Sequence, residues 1–261
     1  MKKLDFNLSA STLNGFVSCP YAFKQDKILK RETIRAPSVF LVFGQAFHKL
    51  LETFYKKGTF KTYDLFQNWE KFFDIEVKTQ EAHGNPQLKF FKATGFTMVK
   101  NWVAMAKENN WLHEPYLEPE WEFLLPYDND KFEINVHGFM DLVIENDSKV
   151  YIIDWKTGKH SEDNYKRQAV LYSWAMYKKF GVIEDCVKFV HPAKKQNFIV
   201  DVHVKDEDYL EIKRVVDEMF YAIESDYYIK KPEEKKCGWC NWADCEHNTN
   251  EKLKQLIEEN S

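Results

Sequence analysis

Apolar positions in the first part of the chain recur with a helical period. Leu13, Phe16 and Val17 mark one short helix, with Ser9 and Ser11 as candidate caps. Phe43, Phe47, Leu50, Leu51 and Phe54 form a stripe that predicts a helix from about Val39 to Lys56, and His48 sits beside the stripe. Two more helices are predicted, from about Asp64 to Thr79 and from about Gln87 to Asn109. Near Pro115 the period shortens to two. E-W-E-F-L-L-P, K-F-E-I-N-V-H-G-F-M-D-L-V-I-E and K-V-Y-I-I-D-W-K read as three strands, with turns at Asp128–Asp130 and Asn146–Ser148. A helix follows from Ser161 to about Phe180, with Glu162 and Asp163 in its first turn, where the helix dipole favours acids, and Gly181 as its stop. Val187–Val190 and Phe198–Val204 are further strands, and a further helix runs from about Asp206 to Ser225. The remaining residues form a cysteine-bearing tail and a short amphipathic helix.

This order predicts an α/β fold with a mixed central β-sheet flanked by helices. It divides one unit into a helical N-terminal region (1–114), a sheet-bearing core (115–230) and a C-terminal cysteine clip with a short helix (231–261). Composition changes the picture little. The chain is 44% hydrophobic, enough for a sizeable core, and no apolar run approaches the ~20 residues of a membrane span. The opening M-K-K-L-D-F-N-L-S lacks the apolar core of a signal peptide, so a cytoplasmic protein is expected. A net charge of −4 excludes a globally basic nucleic-acid coat but not local patches. The lysine pairs at 56–57, 178–179, 194–195, 230–231 and 235–236 read mostly as solvated surface. Most of the aromatic residues belong in the core, and some are available to stack on bases.

The chemistry concentrates around Y-I-I-D-W-K. Alternation puts Asp154 and Lys156 on one face of a strand and Ile153 and Trp155 on the other. Alone, the pair reads as a surface ion pair. The preceding strand ends its H-G-F-M-D at Asp141, and a hairpin at Asn146–Ser148 brings that carboxylate towards Asp154. Two such carboxylates are unfavourable neighbours unless a cation or a shared proton lies between them, and hard divalent ions take such oxygen ligands. Gln168 and Tyr172 lie one turn apart on the next helix and can reach the same place. His48 is a further candidate ligand. Glu122 is an optional one, since alternation also lets it face solvent.

Taken together, His48, G-F-M-D ending at Asp141, D-W-K from Asp154 to Lys156, and Q-A-V-L-Y from Gln168 to Tyr172 resemble the PD-(D/E)XK nuclease superfamily, and within it the RecB-like branch. The opening L-S-A-S-T-L-N-G-F-V-S-C-P-Y-A-F-K is similar to that branch too. The resemblance implies a DNA nuclease, with an exonuclease favoured. His48, Asp141, Asp154 and the Trp155 carbonyl would hold Mg²⁺ or Mn²⁺, Lys156 would stabilise developing charge, and Gln168 and Tyr172 would position DNA or support Lys156. A non-catalytic DNA-binding scaffold remains an alternative, as does a subunit active only in an oligomer or a DNA-processing complex. No Gly-x4-Gly-Lys-Ser/Thr loop is present, so ATP hydrolysis is not expected.

The tail reads C-G-W-C-N-W-A-D-C. The spacing of Cys237, Cys240 and Cys245 suggests metal, with Cys19 or His247 as the fourth ligand. Thiolates suit zinc or an iron–sulfur cluster equally. The resemblance tips the expectation to a 4Fe–4S cluster on Cys19, Cys237, Cys240 and Cys245, with structural Zn²⁺ as the alternative. Trp239 and Trp242 are expected to shield the site, as are Tyr21 and Phe23. Cys186 has no motif and is expected in the core.

Overall fold

A computed structural model describes residues 1–32, 38–58, 61–112, 116–146, 149–158, 162–193 and 198–259. Several expected features lie outside these residues: Pro115, Asp147 and Ser148 of the hairpin turn, the helix start at Ser161, and the pair Lys194–Lys195. The contacts divide the chain into two compact units. One comprises Met1–Ala36, Leu124–His137 and Lys205–Ser261; the other comprises Pro37–Phe123 and Gly138–Val204.

The elements run β1 (Lys2–Lys3), α1 (Ala10–Ser18), α2 (Pro20–Phe23), a π-helical turn (Lys24–Ile28), α3 (Val39–Lys57), α4 (Thr62–Thr79), α5 (Leu88–Glu108), β2 (Tyr116–Pro126), β3 (Phe132–Glu133), β4 (Asn135–Asn146), β5 (Lys149–Trp155), α6 (Glu162–Phe180), β6 (Cys186–His191), β7 (Phe198–Val202), α7 (Asp206–Ser225), α8 (Glu234–Cys237) and α9 (Glu251–Glu259). The central sheet has the order β2-β4-β5-β6-β7. Strands β4 and β5 are antiparallel, β5 and β6 parallel, and β6 and β7 antiparallel, so the sheet is mixed as expected. The parallel pair needs a crossover, and α6 supplies it.

In the second unit, the apolar stripe of α3 packs with α4 and α5 against one sheet face. Leu142, Ile144, Ile153, Trp155 and Val190 join that core. Trp155 stacks on Tyr55 at 5.9 Å and meets Trp102 edge-on, so its face of β5 is dry. Trp69 lies so close to Gly95 that a Cβ there would fall 1.8 Å from its ring. On the opposite face Tyr165 of α6 stacks on Phe189.

The first unit differs from the expectation in detail. The second of the three expected strands is broken at Ile134. Its first part, β3, pairs in parallel with β1 in a separate two-stranded sheet. Ser9, not Ser11, caps α1, its hydroxyl accepting from the Thr12 N–H at 3.1 Å. Arg31 spans to the tail, bonding Asp244 at 2.8 Å and lying over Trp242.

Candidate active site

Register carries Asp141 and Asp154 together. Leu142 pairs with Ile153 across the β4–β5 ladder, so the two acids flank one rung. Both are buried, Asp141 to 5% and Asp154 to 2% exposure. The backbone N–H of Trp155 donates to Asp141 Oδ2 at 2.6 Å, which fixes that carboxylate against β5.

Asp154 is surrounded by donors. Lys156 Nζ lies 2.6 Å from Oδ1. Gln168 Nε2 donates to Oδ2 at 2.8 Å, and Gln168 Oε1 accepts from Lys156 Nζ at 2.8 Å. The Tyr172 hydroxyl stands 2.7 Å from Asp154 Oδ2 and 2.5 Å from the Phe139 carbonyl. Lys156 also lies over the Phe189 ring, 5.3 Å from its centre. One turn of α6 therefore holds both the acid and the lysine in place.

From α3, His48 Nδ1 reaches Asp141 Oδ1 at 3.1 Å. Gly44, one turn earlier, lets α3 approach the chain just past Lys156, since a Cβ there would lie 3.1 Å from Thr157 Oγ1. Glu120 of β2, not Glu122, completes the group. His48, Glu120 and Asp141 each offer a ligand atom within 4.8 Å of the others. Glu122 is solvent-exposed. Alternation points Glu120 to the exposed side with Glu122 and Leu124, while Trp121 and Phe123 are buried. A left-handed backbone at Glu120, φ 50°, overrides that alternation. Nothing in the residue pattern announces such a turn in mid-strand, because only Gly, Asn and Asp adopt it routinely.

The group is electrostatically crowded. Burial and the Asp141 charge push the Glu120 carboxyl up to about 8, although His48 opposes them. Burial likewise raises Asp141, with Asp154 adding to it and His48 resisting. Burial disfavours the His48 imidazolium, but Asp141 outweighs it and takes the ring up to about 9. Burial, then Asp154, lifts the Tyr172 hydroxyl well above the ordinary value, so it stays a donor. Two carboxyl groups strained toward neutrality beside a histidine are what a cation would relieve.

In the first unit, Cys19, Cys237, Cys240, Cys245 and His247 line one cavity of about 230 Å³, with Tyr21 and Trp242 among its walls. Trp242 is buried at 6% exposure, but Trp239 is 76% exposed and does not act as a shield. Phe23 is buried without lining this cavity. Asn248 ties the loop, its Nδ2 donating to the Cys240 and Trp242 carbonyls. Cys186 is 2% exposed, and burial pushes its thiol up to about 11.

A mixed sheet that presents an Asp and an Asp-x-Lys side by side is the arrangement expected of a PD-(D/E)XK nuclease. The model of the PD-(D/E)XK nuclease superfamily matches residues 7–245, and the chain belongs to that superfamily. No curated protein sequence matches it. Among solved structures, the "Putative exonuclease" of Eubacterium rectale is similar at a TM-score of 0.56 and 14% identity, covering 92% of this chain and 88% of that one. SSO0001 is similar at a TM-score of 0.47 and 12% identity, covering 95% and 89%. Among the described residues, no helix is long and apolar enough to cross a membrane.

Proposed function

We propose that the protein is a divalent-cation-dependent deoxyribonuclease of the RecB-like branch that degrades DNA from its ends. One observation carries the reading: Asp141 and Asp154 lie side by side, with Lys156 held 2.6 Å from Asp154 and braced by Gln168. The donor set fits Mg²⁺ or Mn²⁺, because Glu120 Oε1 is buried without a hydrogen-bond partner among the described residues. A cation bound there supplies charge neutralisation at the phosphate and makes water more acidic. His48, Asp141, Asp154 and the Trp155 carbonyl would hold it. Lys156 places its ammonium where a scissile phosphate gains charge and stabilises that charge. Gln168 fixes Lys156, and Tyr172 fixes Asp154. DNA would be gripped through its phosphates, with affinity falling steeply as salt rises. End-labelled single- and double-stranded DNA, incubated with Mg²⁺ or Mn²⁺, tests the reading. Stepwise shortening that stops with EDTA supports it; no cleavage under any of these conditions removes it and favours a scaffold.

The cysteine clip, in this reading, carries a 4Fe–4S cluster on Cys19, Cys237, Cys240 and Cys245. The four thiols line one cavity, and it is the resemblance to the RecB-like branch that favours iron over zinc there. Iron and acid-labile sulfide in anaerobically purified protein test this; one zinc per chain would replace the cluster.

A further inference from the structure

The geometry points to Glu120 as a ligand of the cation that Asp141 holds, a role outside the residues of the nuclease motifs. The inference rests on the cation-dependent reading above and adds a donor to it. Three independent features converge on this side chain. Its Oε1 is buried and has no hydrogen-bond partner among the described residues. Its backbone takes a left-handed conformation, φ 50°, in the middle of a strand. Its ligand atom lies within 4.8 Å of those of His48 and Asp141. Backbone strain at a non-glycine residue persists only where the surroundings enforce it, and here its effect is to turn a carboxylate inward.

The neighbours offer no competing partner. Besides His48 and Asp141, the charges felt by Glu120 are those of Glu52 and Asp154, both acids. Glu52 is already engaged by Lys49 at 2.8 Å and Lys56 at 2.7 Å. His48 Nδ1 lies 3.9 Å from Glu120 Oε1 and sits closer to Asp141 Oδ1, at 3.1 Å. Gln168 and Tyr172 both bond Asp154 Oδ2, while its Oδ1, 2.6 Å from Lys156 Nζ, is likewise buried without a hydrogen bond among the described residues. Glu120 therefore joins His48, Asp141 and Asp154 as a further side-chain donor, while Gln168 and Tyr172 hold Asp154 in place. An imidazole beside two carboxylates suits Mn²⁺ better than Mg²⁺, since nitrogen donors favour the transition ion.

Titration of the DNA-free protein with Mn²⁺, followed by calorimetry, tests the assignment without any turnover. Glu120→Gln and Glu120→Gly should each weaken Mn²⁺ binding by at least about tenfold, while Glu122→Gln leaves it unchanged. Glu120→Gly suits the left-handed backbone, so its metal-free melting should stay at or above that of the wild type and exclude misfolding as the cause. Mn²⁺ binding unaltered by both Glu120 variants but lost in Asp141→Asn would overturn the role of Glu120 and leave the cation-dependent reading intact. A wild-type protein that binds no Mn²⁺ would overturn both.

Discussion

Gly138 is where packing meets the proposed catalytic residues, and Gly138→Ala should damage both. A Cβ at that position would lie 2.5 Å from Phe123 Cζ and 2.9 Å from Cε1, so the ring must retreat by about an ångström to reach ordinary contact. Phe123 is 2% exposed and has little room to move. Overpacking of this kind costs about 1–3 kcal/mol of stability. The ring stands edge-on to Tyr172, 6.1 Å between centres, and Tyr172 in turn holds Asp154 at 2.7 Å. Displacing that hydroxyl forfeits a hydrogen bond to a charged group, about 1.5–3 kcal/mol, and so slows cleavage by roughly 10- to 150-fold. Urea unfolding and single-turnover cleavage read the two effects separately. Phe123→Leu alone opens a cavity and costs stability. In the Gly138→Ala background it should cost little or restore stability, because it removes the clash. Strict additivity of the two substitutions, or wild-type behaviour of Gly138→Ala, would refute the route through the ring.

Asp141→Ala, Asp154→Ala and Lys156→Ala should each abolish cleavage, with circular dichroism and gel filtration unchanged; near-normal cleavage by Asp154→Ala would remove it from the site. Cys19→Ala should lose both colour and thermal stability, seen by visible absorbance and calorimetry, because it deletes one of the four thiols around the cavity. Cys186 should resist alkylation in folded protein at pH 8, since its thiol ionises only near pH 11, and mass spectrometry should find it labelled only after denaturation.

The long periodic segments were legible because burial imposes the period. The stripe from Phe43 to Phe54 places α3, and the helix expected from about Asp206 to Ser225 is α7. Alternation along Y-I-I-D-W-K separated Asp154 from Trp155, and the hairpin register then followed from one turn. What escaped depends on partners distant in the chain or on unusual backbone. The two-residue pairing of β1 with β3 carries no local signal, so the break at Ile134 was invisible. Glu120 carries no signal of its own, because alternation puts it on the same side as Glu122 and only its left-handed backbone turns it inward. Trp239 beside Cys240 looked like a shield, but adjacency in sequence does not say which way an indole points.

The first unit is assembled from three separated stretches, and a chain being synthesised meets them in order. The segment Met1–Ala36 is made before the other two, yet its strand pairs with residues 132–133 and its helix α1 packs on α7, beyond residue 205. At about 5–20 residues per second, that wait lasts on the order of ten seconds or more. Meanwhile the second unit, complete by Val204, has all its own strands and helices available to fold. Cys19 is therefore made long before Cys237, Cys240 and Cys245, and the four can gather only once the tail has emerged. Any metal or cluster held by these four would load after the tail is made, and a chain truncated after α6 would leave its first segment without α7 or the tail.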